Sequence, residues 1–164
     1  MKTKTNIQLN LSTSERASLR KNKIKISEVL NYAPDELEII LNVSSGRAKE
    51  ICALADFQRI PSIGIKFAED LIFLGYYTIT ELKGQNGAVL TNQYEYKKGY
   101  RIDACVEDQF RLAVHFANTY DYTKRWWDFT KERKKYRNDV GFPKNRPKLN
   151  WHEVVGGRKI HETK

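Results

Sequence analysis

The chain has 164 residues, 40% hydrophobic and 30% charged, with a net charge of +9. That length and balance suit one globular domain with room for a real core. They exclude a membrane span, since no apolar run of ~18 residues exists, and a disulfide framework, since Cys52 and Cys105 are the two cysteines.

The positive charge is unevenly spread. Residues 1–25 carry seven Lys/Arg against Glu15, and residues 121–164 carry thirteen basic against six acidic. The middle, 26–120, has nine basic and thirteen acidic. A mildly acidic body between two basic flanks suits a polyanion partner, and equally suits flanks that keep a protein soluble.

In chain order, residues 1–25 read as a basic flexible arm, polar and without the apolar stretch of a secretory signal, so the cytoplasm is the expected compartment. Helical periodicity begins at Ile26, with Ser27 as cap and Glu28 in the first turn. Pro34 and the acids behind it restart a helix over "APDELEIILN". "SSGRAKEICALADF" follows, capped by Ser44 or Ser45, with Ala48, Ile51, Cys52 and Ala55 on one face. After the helix that contains Lys66 comes a short one capped by Thr78 or Thr80. Residues 85–102 hold two glycines and no clean period, which predicts a loop. Asp103 caps a further helix with an apolar stripe of Val106, Phe110, Ala113, Val114 and Ala117. "TKRWWDFTKERKKYRNDV" predicts a last helix, and the Pro- and Gly-bearing remainder predicts an extended basic tail. The expected fold class is all-α.

The middle repeats itself. At an offset of twenty residues Ile40 falls on Ile60, Val43 on Ile63, Ala48 on Ala68, Ile51 on Leu71, Cys52 on Ile72 and Leu54 on Leu74. Twenty residues is about one helix-turn-helix unit. The second copy has the turn "RIPSIGIKFAED". There Pro61 fixes its own φ and ends the preceding helix at Ile60, while Ile63 points inward as a plug. Gly64 is expected to hold a backbone angle barred to other residues. The helix from Ile65 then presents unpaired N–H groups and its positive dipole end, with Lys66 beside them, to a phosphate oxygen.

This turn resembles the helix-hairpin-helix motif, whose pattern is apolar-Pro-Gly-apolar-Gly, a basic residue, Ala, and an apolar helix ending in Gly. The match runs through Ile60, Pro61, Ile63, Gly64, Lys66, Ala68, Leu71 and Gly75. The resemblance implies a hairpin that grips DNA or RNA backbone without reading sequence, and tandem copies that form a four-helix unit. Here Ser62 stands at the motif's first glycine, the first copy has lost its turn glycines, and Glu69 and Asp70 lower the local potential. Over residues 27–130 the chain also resembles the bacterial pathogenicity-locus proteins, through "IPSIGIKFAEDLIFLGYYTITELKG", "DACVEDQFRLAVHFAN" and "KRWWDF". That resemblance implies a helix-hairpin-helix fold and leaves activity undefined. The basic tail after Asp128 extends beyond the shorter members.

The expected organisation is therefore a basic arm over 1–25, a helix-hairpin-helix domain over 26–130, and a basic helix end and tail over 131–164. The expected function is nucleic-acid binding without sequence specificity. DNA (duplex, branched or single-stranded) is the first partner and RNA the second, with a role in repair or recombination. Ser62, Ile63, Gly64, Ile65 and Lys66 would hold a phosphate, supported by Lys131, Arg133, Lys134, Lys135 and Arg137. The alternative is a protein-interaction module that uses the same fold as scaffold. A sequence-reading helix-turn-helix is a poor fit, because Arg47 and Lys49 stand nearly alone on the would-be recognition helix. Trp126 and Trp127 are open to two uses, base stacking and core packing, of which packing is the commoner. No metal or cofactor is expected, as Cys52, Cys105, His115, His152 and His161 fall at no usual zinc spacing. No nucleophile, phosphate-loop or paired-carboxylate motif stands out, and the chain reads as a non-enzyme.

Overall fold

The computed structural model describes residues 6–156. The protein is all-α, with no β-strand among the described residues, and it divides into two compact units, Met1–Lys83 and Gly84–Lys164. No helix among the described residues is long and apolar enough to cross a membrane.

The first unit contains α1 (Thr13–Lys21), a 3-10 helix (Ile26–Asn31), α2 (Pro34–Leu41), α3 (Ser45–Phe57), α4 (Ile65–Phe73) and a 3-10 helix (Ile79–Leu82). Local chemistry sets most of the starts. Pro34 occupies the first turn of α2, where its missing N–H costs nothing, and the Glu36 carboxylate accepts from Ala33 N–H at 2.7 Å. Ser44 Oγ accepts from Arg47 N–H at 3.1 Å to open α3. Ser27 does not cap; the first 3-10 helix starts one residue earlier, and Glu28 accepts from Lys25 N–H instead. The Ile51, Ala53, Leu54, Ala55 and Phe57 side chains of α3 are all buried, so this helix is the core on which α2 and α4 pack.

The expected arm is not free over its described part, residues 6–25. Ile7, Leu9 and Leu11 are buried alternately, as an extended segment requires, and Leu19 of α1 is buried too. Gln58, itself buried, fixes this segment by accepting from Gln8 N–H at 3.0 Å and donating to Gln8 O at 2.6 Å. Ser12 and Glu15 form a capping box at α1. Basic charge in this stretch sits on the solvent side of an ordered, packed segment.

The second unit contains α5 (Gly87–Lys98), α6 (Ala104–Thr119), a 3-10 helix (Trp126–Phe129) and α7 (Thr130–Asp139). The loop expected over 85–102 is mostly α5. Asn86 caps it by accepting from Ala88 and Val89 N–H groups, and Gly99 closes it at φ +79°. Gly87 sits where α5 meets α6, and a Cβ there would lie 2.8 Å from Arg111 Cα. The glycines mark a start, a close contact and an end.

The tail expected after residue 131 is also ordered up to 156. α7 runs to Asp139, and the chain then returns so that Arg101 N–H donates to Leu149 O and Trp151 N–H donates to Arg101 O. Arg146 binds both oxygens of the buried Glu95 carboxylate, at 2.8 and 3.0 Å. Residues 157–164, including His161, lie outside the described residues.

Candidate nucleic-acid interface

The turn between α3 and α4 is built on two fully buried side chains, Ile60 and Ile63, with Pro61 buried between them. Ile63 is the expected plug; its N–H donates to Ile60 O at 3.2 Å, so it is not available to a ligand. The left-handed angle lies on Ser62, at φ +62°, and not on Gly64, whose φ of −106° any residue adopts. Gly64 matters for a different reason. It is the exposed N-cap of α4, and a Cβ built on it would meet nothing within 4 Å. Among the described residues the N–H groups of Gly64, Ile65 and Lys66 have no acceptor, and the Lys66 side chain is exposed beside them. Of the five expected residues, three therefore converge on open space, Ser62 sets the bend, and Ile63 anchors it.

The strain on Ser62 gives a direct check. Ser62→Val places a β-branched residue at a left-handed angle and is expected to lower stability by about 1–2 kcal/mol. Gly64→Val, at extended φ with open space around it, is expected to leave stability within about 0.5 kcal/mol. Urea midpoints of the two variants measure the difference.

The twenty-residue repeat extends to the backbone. Asn42, the counterpart of Ser62, is also left-handed at φ +53°, and Ser44, the counterpart of Gly64, is also the N-cap of the next helix. The first copy has lost the glycines and kept the bend. Its helix start is less open, because Ser44 Oγ takes one N–H and the Arg47 guanidinium is already committed. Arg47 donates to both Glu15 oxygens at 2.9 Å, to Asn10 O and to Glu50. That guanidinium holds the Glu15 carboxyl below its ordinary range. Arg47 is therefore a buttress for the N-terminal segment, which removes what little a recognition helix had.

The supporting cations divide. Lys131 and Lys134 are exposed and have no ion-pair partner among the described residues, while Lys135 pairs with Asp139 at 2.7 Å. Arg133 and Arg137 differ from the lysines: they face inward, their guanidinium groups already paired with carboxylates. Arg133 Nε donates to Asp108 at 2.6 Å, and Arg137 Nε donates to Glu107 at 2.9 Å, both carboxylates being buried on α6. Arg137 also donates to Asn92 Oδ1 and Gly141 O, and the Phe142 ring lies between Arg137 and Arg146 at 4.1 and 3.5 Å. This network, which surrounds a cleft of about 390 Å³, was missed from the sequence. Its available signal was the 133/137 pair, four residues apart on one face of α7.

Neither cysteine is poised for chemistry: burial pushes the Cys52 and Cys105 thiols up to about 11. Trp126 is half-buried, Trp127 is exposed, and the buried aromatic of their 3-10 helix is Phe129.

An all-α protein with a repeated bend and an open helix start is the class these observations define. The family model of the Cdd1 pathogenicity locus matches residues 50–135, and the chain belongs to that family. The match takes in the turn at Ser62 and the Trp126–Trp127 pair. No curated protein and no solved structure matches the chain.

Proposed function

We propose that the protein is a helix-hairpin-helix protein, with its two hairpins at Asn42–Ser44 and Ser62–Gly64, that binds nucleic-acid backbone without reading sequence. DNA is the first ligand. The observation that carries this reading is the start of α4, where the Gly64, Ile65 and Lys66 N–H groups lack an acceptor and no side chain covers Gly64. A phosphate oxygen seated there accepts N–H bonds aligned with the helix dipole and meets Lys66. Base identity plays no part, because every contact is to backbone. The net charge of +9 adds a salt-dependent attraction through exposed lysines. RNA offers the same phosphate chemistry.

The test is fluorescence anisotropy of the full chain with single-stranded, duplex and forked DNA over a series of salt concentrations. Gly64→Val is expected to fold normally and to bind roughly tenfold more weakly, by covering the N–H groups. Lys66→Ala is expected to reduce the salt slope by about one. Equal binding by Gly64→Val and the parent chain would sink the proposal. The rival is a protein-interaction surface, which draws on a groove of about 370 Å³ lined by Leu30, Tyr32, Pro34 and Tyr77. It gains if no nucleic acid binds.

A further inference from the structure

We propose that the 3-10 helix Trp126–Phe129 is a stacking platform for an unpaired base. Trp127 supplies the ring, and Lys124 and Lys131 hold phosphates of a single strand. This goes beyond the backbone grip of the α4 turn and does not depend on it, since its residues lie in the other unit.

The first observation is an exposed indole on a fixed support. Trp127 is 55% exposed, whereas Phe129 is 8% exposed and anchors the same turn in the core. The support is held at each end. Asp128 accepts from Arg125 N–H at 2.8 Å, the Arg125 guanidinium donates to Tyr122 O at 2.8 Å, and Thr130 Oγ1 donates to Asp108 at 2.8 Å. Trp126 meets Trp127 edge to face, with ring centroids 5.3 Å apart. The ring is thus more than half exposed on a turn whose anchor in the core is Phe129.

The second observation is the state of the charges around it. Between residues 120 and 140 each carboxylate is already occupied. Asp121 accepts from the Thr123 N–H and hydroxyl and faces His115; Asp128 is the cap just described. Glu132 pairs with Arg111, and Asp139 pairs with Lys135. Lys124, Lys131 and Lys134 are exposed and have no ion-pair partner among the described residues. A large flat ring with exposed, unpaired lysines three residues before it and four and seven after it in the chain matches a ligand with π faces and negative charge. Single-stranded nucleic acid has both, because its bases are free to unstack onto an aromatic side chain. A duplex keeps its bases stacked on each other, and an acidic peptide would satisfy the lysines without using the indole.

The experiment measures binding of the full chain to fluorescein-labelled oligo(dT), with the oligo(dA)·oligo(dT) duplex, inorganic polyphosphate and poly-glutamate as competitors. Trp127→Ala is expected to weaken oligo(dT) binding roughly tenfold and to leave polyphosphate binding unchanged, while Trp127→Phe keeps most of the affinity. Its melting temperature should match the parent, given the exposure of the ring. Independently, Trp126→Phe combined with Trp151→Phe leaves Trp127 as the sole indole of the three, and its fluorescence should be quenched by oligo(dT). The proposal is overturned if the full chain does not bind oligo(dT), or if Trp127→Ala binds it as the parent does. It is equally overturned if that variant loses oligo(dT) and polyphosphate alike, if poly-glutamate competes as well as oligo(dT), or if the sole indole is not quenched. Gly64→Val in the same assay reports on the α4 turn, so the two sites fail separately.

Discussion

Glu107→Ala is expected to destabilise the protein by about 3–5 kcal/mol, the largest effect of any substitution considered. Glu107 is 2% exposed and serves two guanidinium groups, Arg111 at 3.0 Å and Arg137 at 2.9 Å, whose side chains are themselves only 9% and 8% exposed. Removing the carboxylate leaves two buried cations facing each other across the α6–α7 contact. Arg111 retains Glu132, which is largely exposed, and Arg137 retains only neutral acceptors. The urea midpoint measures the loss, which corresponds to roughly 10 °C in melting temperature. Adding Arg137→Ala should cost less than the sum of the two single changes, because one of the orphaned charges is then gone. An additive result, or a loss under about 1 kcal/mol for Glu107→Ala alone, would show that water solvates the arginines as well as Glu107 does.

Gly87→Val is expected to cost about 3 kcal/mol, for a reason that leads back to the same network. A Cβ at Gly87 would stand 2.8 Å from both Cα and Cγ of Arg111 and 2.9 Å from its backbone nitrogen. Main-chain atoms cannot rotate aside, so α5 and α6 must separate. Arg137, which donates to Glu107 on α6 and to Ala88 O and Asn92 Oδ1 on α5, then cannot keep both sets of partners. Gly46 provides the contrast: it is a helical glycine with nothing within 4 Å of its Cβ position, so Gly46→Ala should gain about 0.5–1 kcal/mol from helix propensity. Thermal melts of the two variants should move in opposite directions. If Gly87→Val melts with the parent, the α5–α6 contact is looser than this geometry states.

Those two residues also show what the sequence could and could not reveal. The starts of α2, α3, α4 and α6 were legible, because Pro34, Ser44, Gly64 and Asp103 act within a few residues of themselves. Helix α5 was hidden by its glycines. Gly87 is demanded by a neighbour twenty-four positions away, and Gly99 by the helix end, so neither marks a loop. The helix buries one face, Gly87, Ala88, Leu90, Thr91, Tyr94 and Glu95, but a glycine, a threonine and a glutamate stand in it, so the sequence shows no apolar stripe. The N-terminal segment carried the alternation of Ile7, Leu9 and Leu11 and the Ser12–Glu15 box in plain view, but its basic charge pointed to an arm. At the α4 turn the sequence located the bend and put the left-handed angle on Gly64 where Ser62 has it, since which residue bends left is decided by tertiary packing around Ile60 and Ile63. The inward turn of Arg133 and Arg137 depends on partners 25 and 30 residues away. Local pattern cannot report that, and a run of cations was read as a surface.

The order in which a ribosome releases this chain gives the buried ion pairs a further meaning. Within the first unit Gln8 closes on Gln58, Glu15 on Arg47, and Asp56 accepts the Ile79 N–H, all pairings of residues made before the second unit begins. The second unit emerges with its acids first. Glu95, Glu107 and Asp108 are synthesised before Arg133, Arg137 and Arg146, the cations that let them be buried. Until residue 146 is free, α5 and α6 carry carboxylates that water solvates better than their own core does. The acids of the second unit must therefore wait for most of its length before all their partners exist.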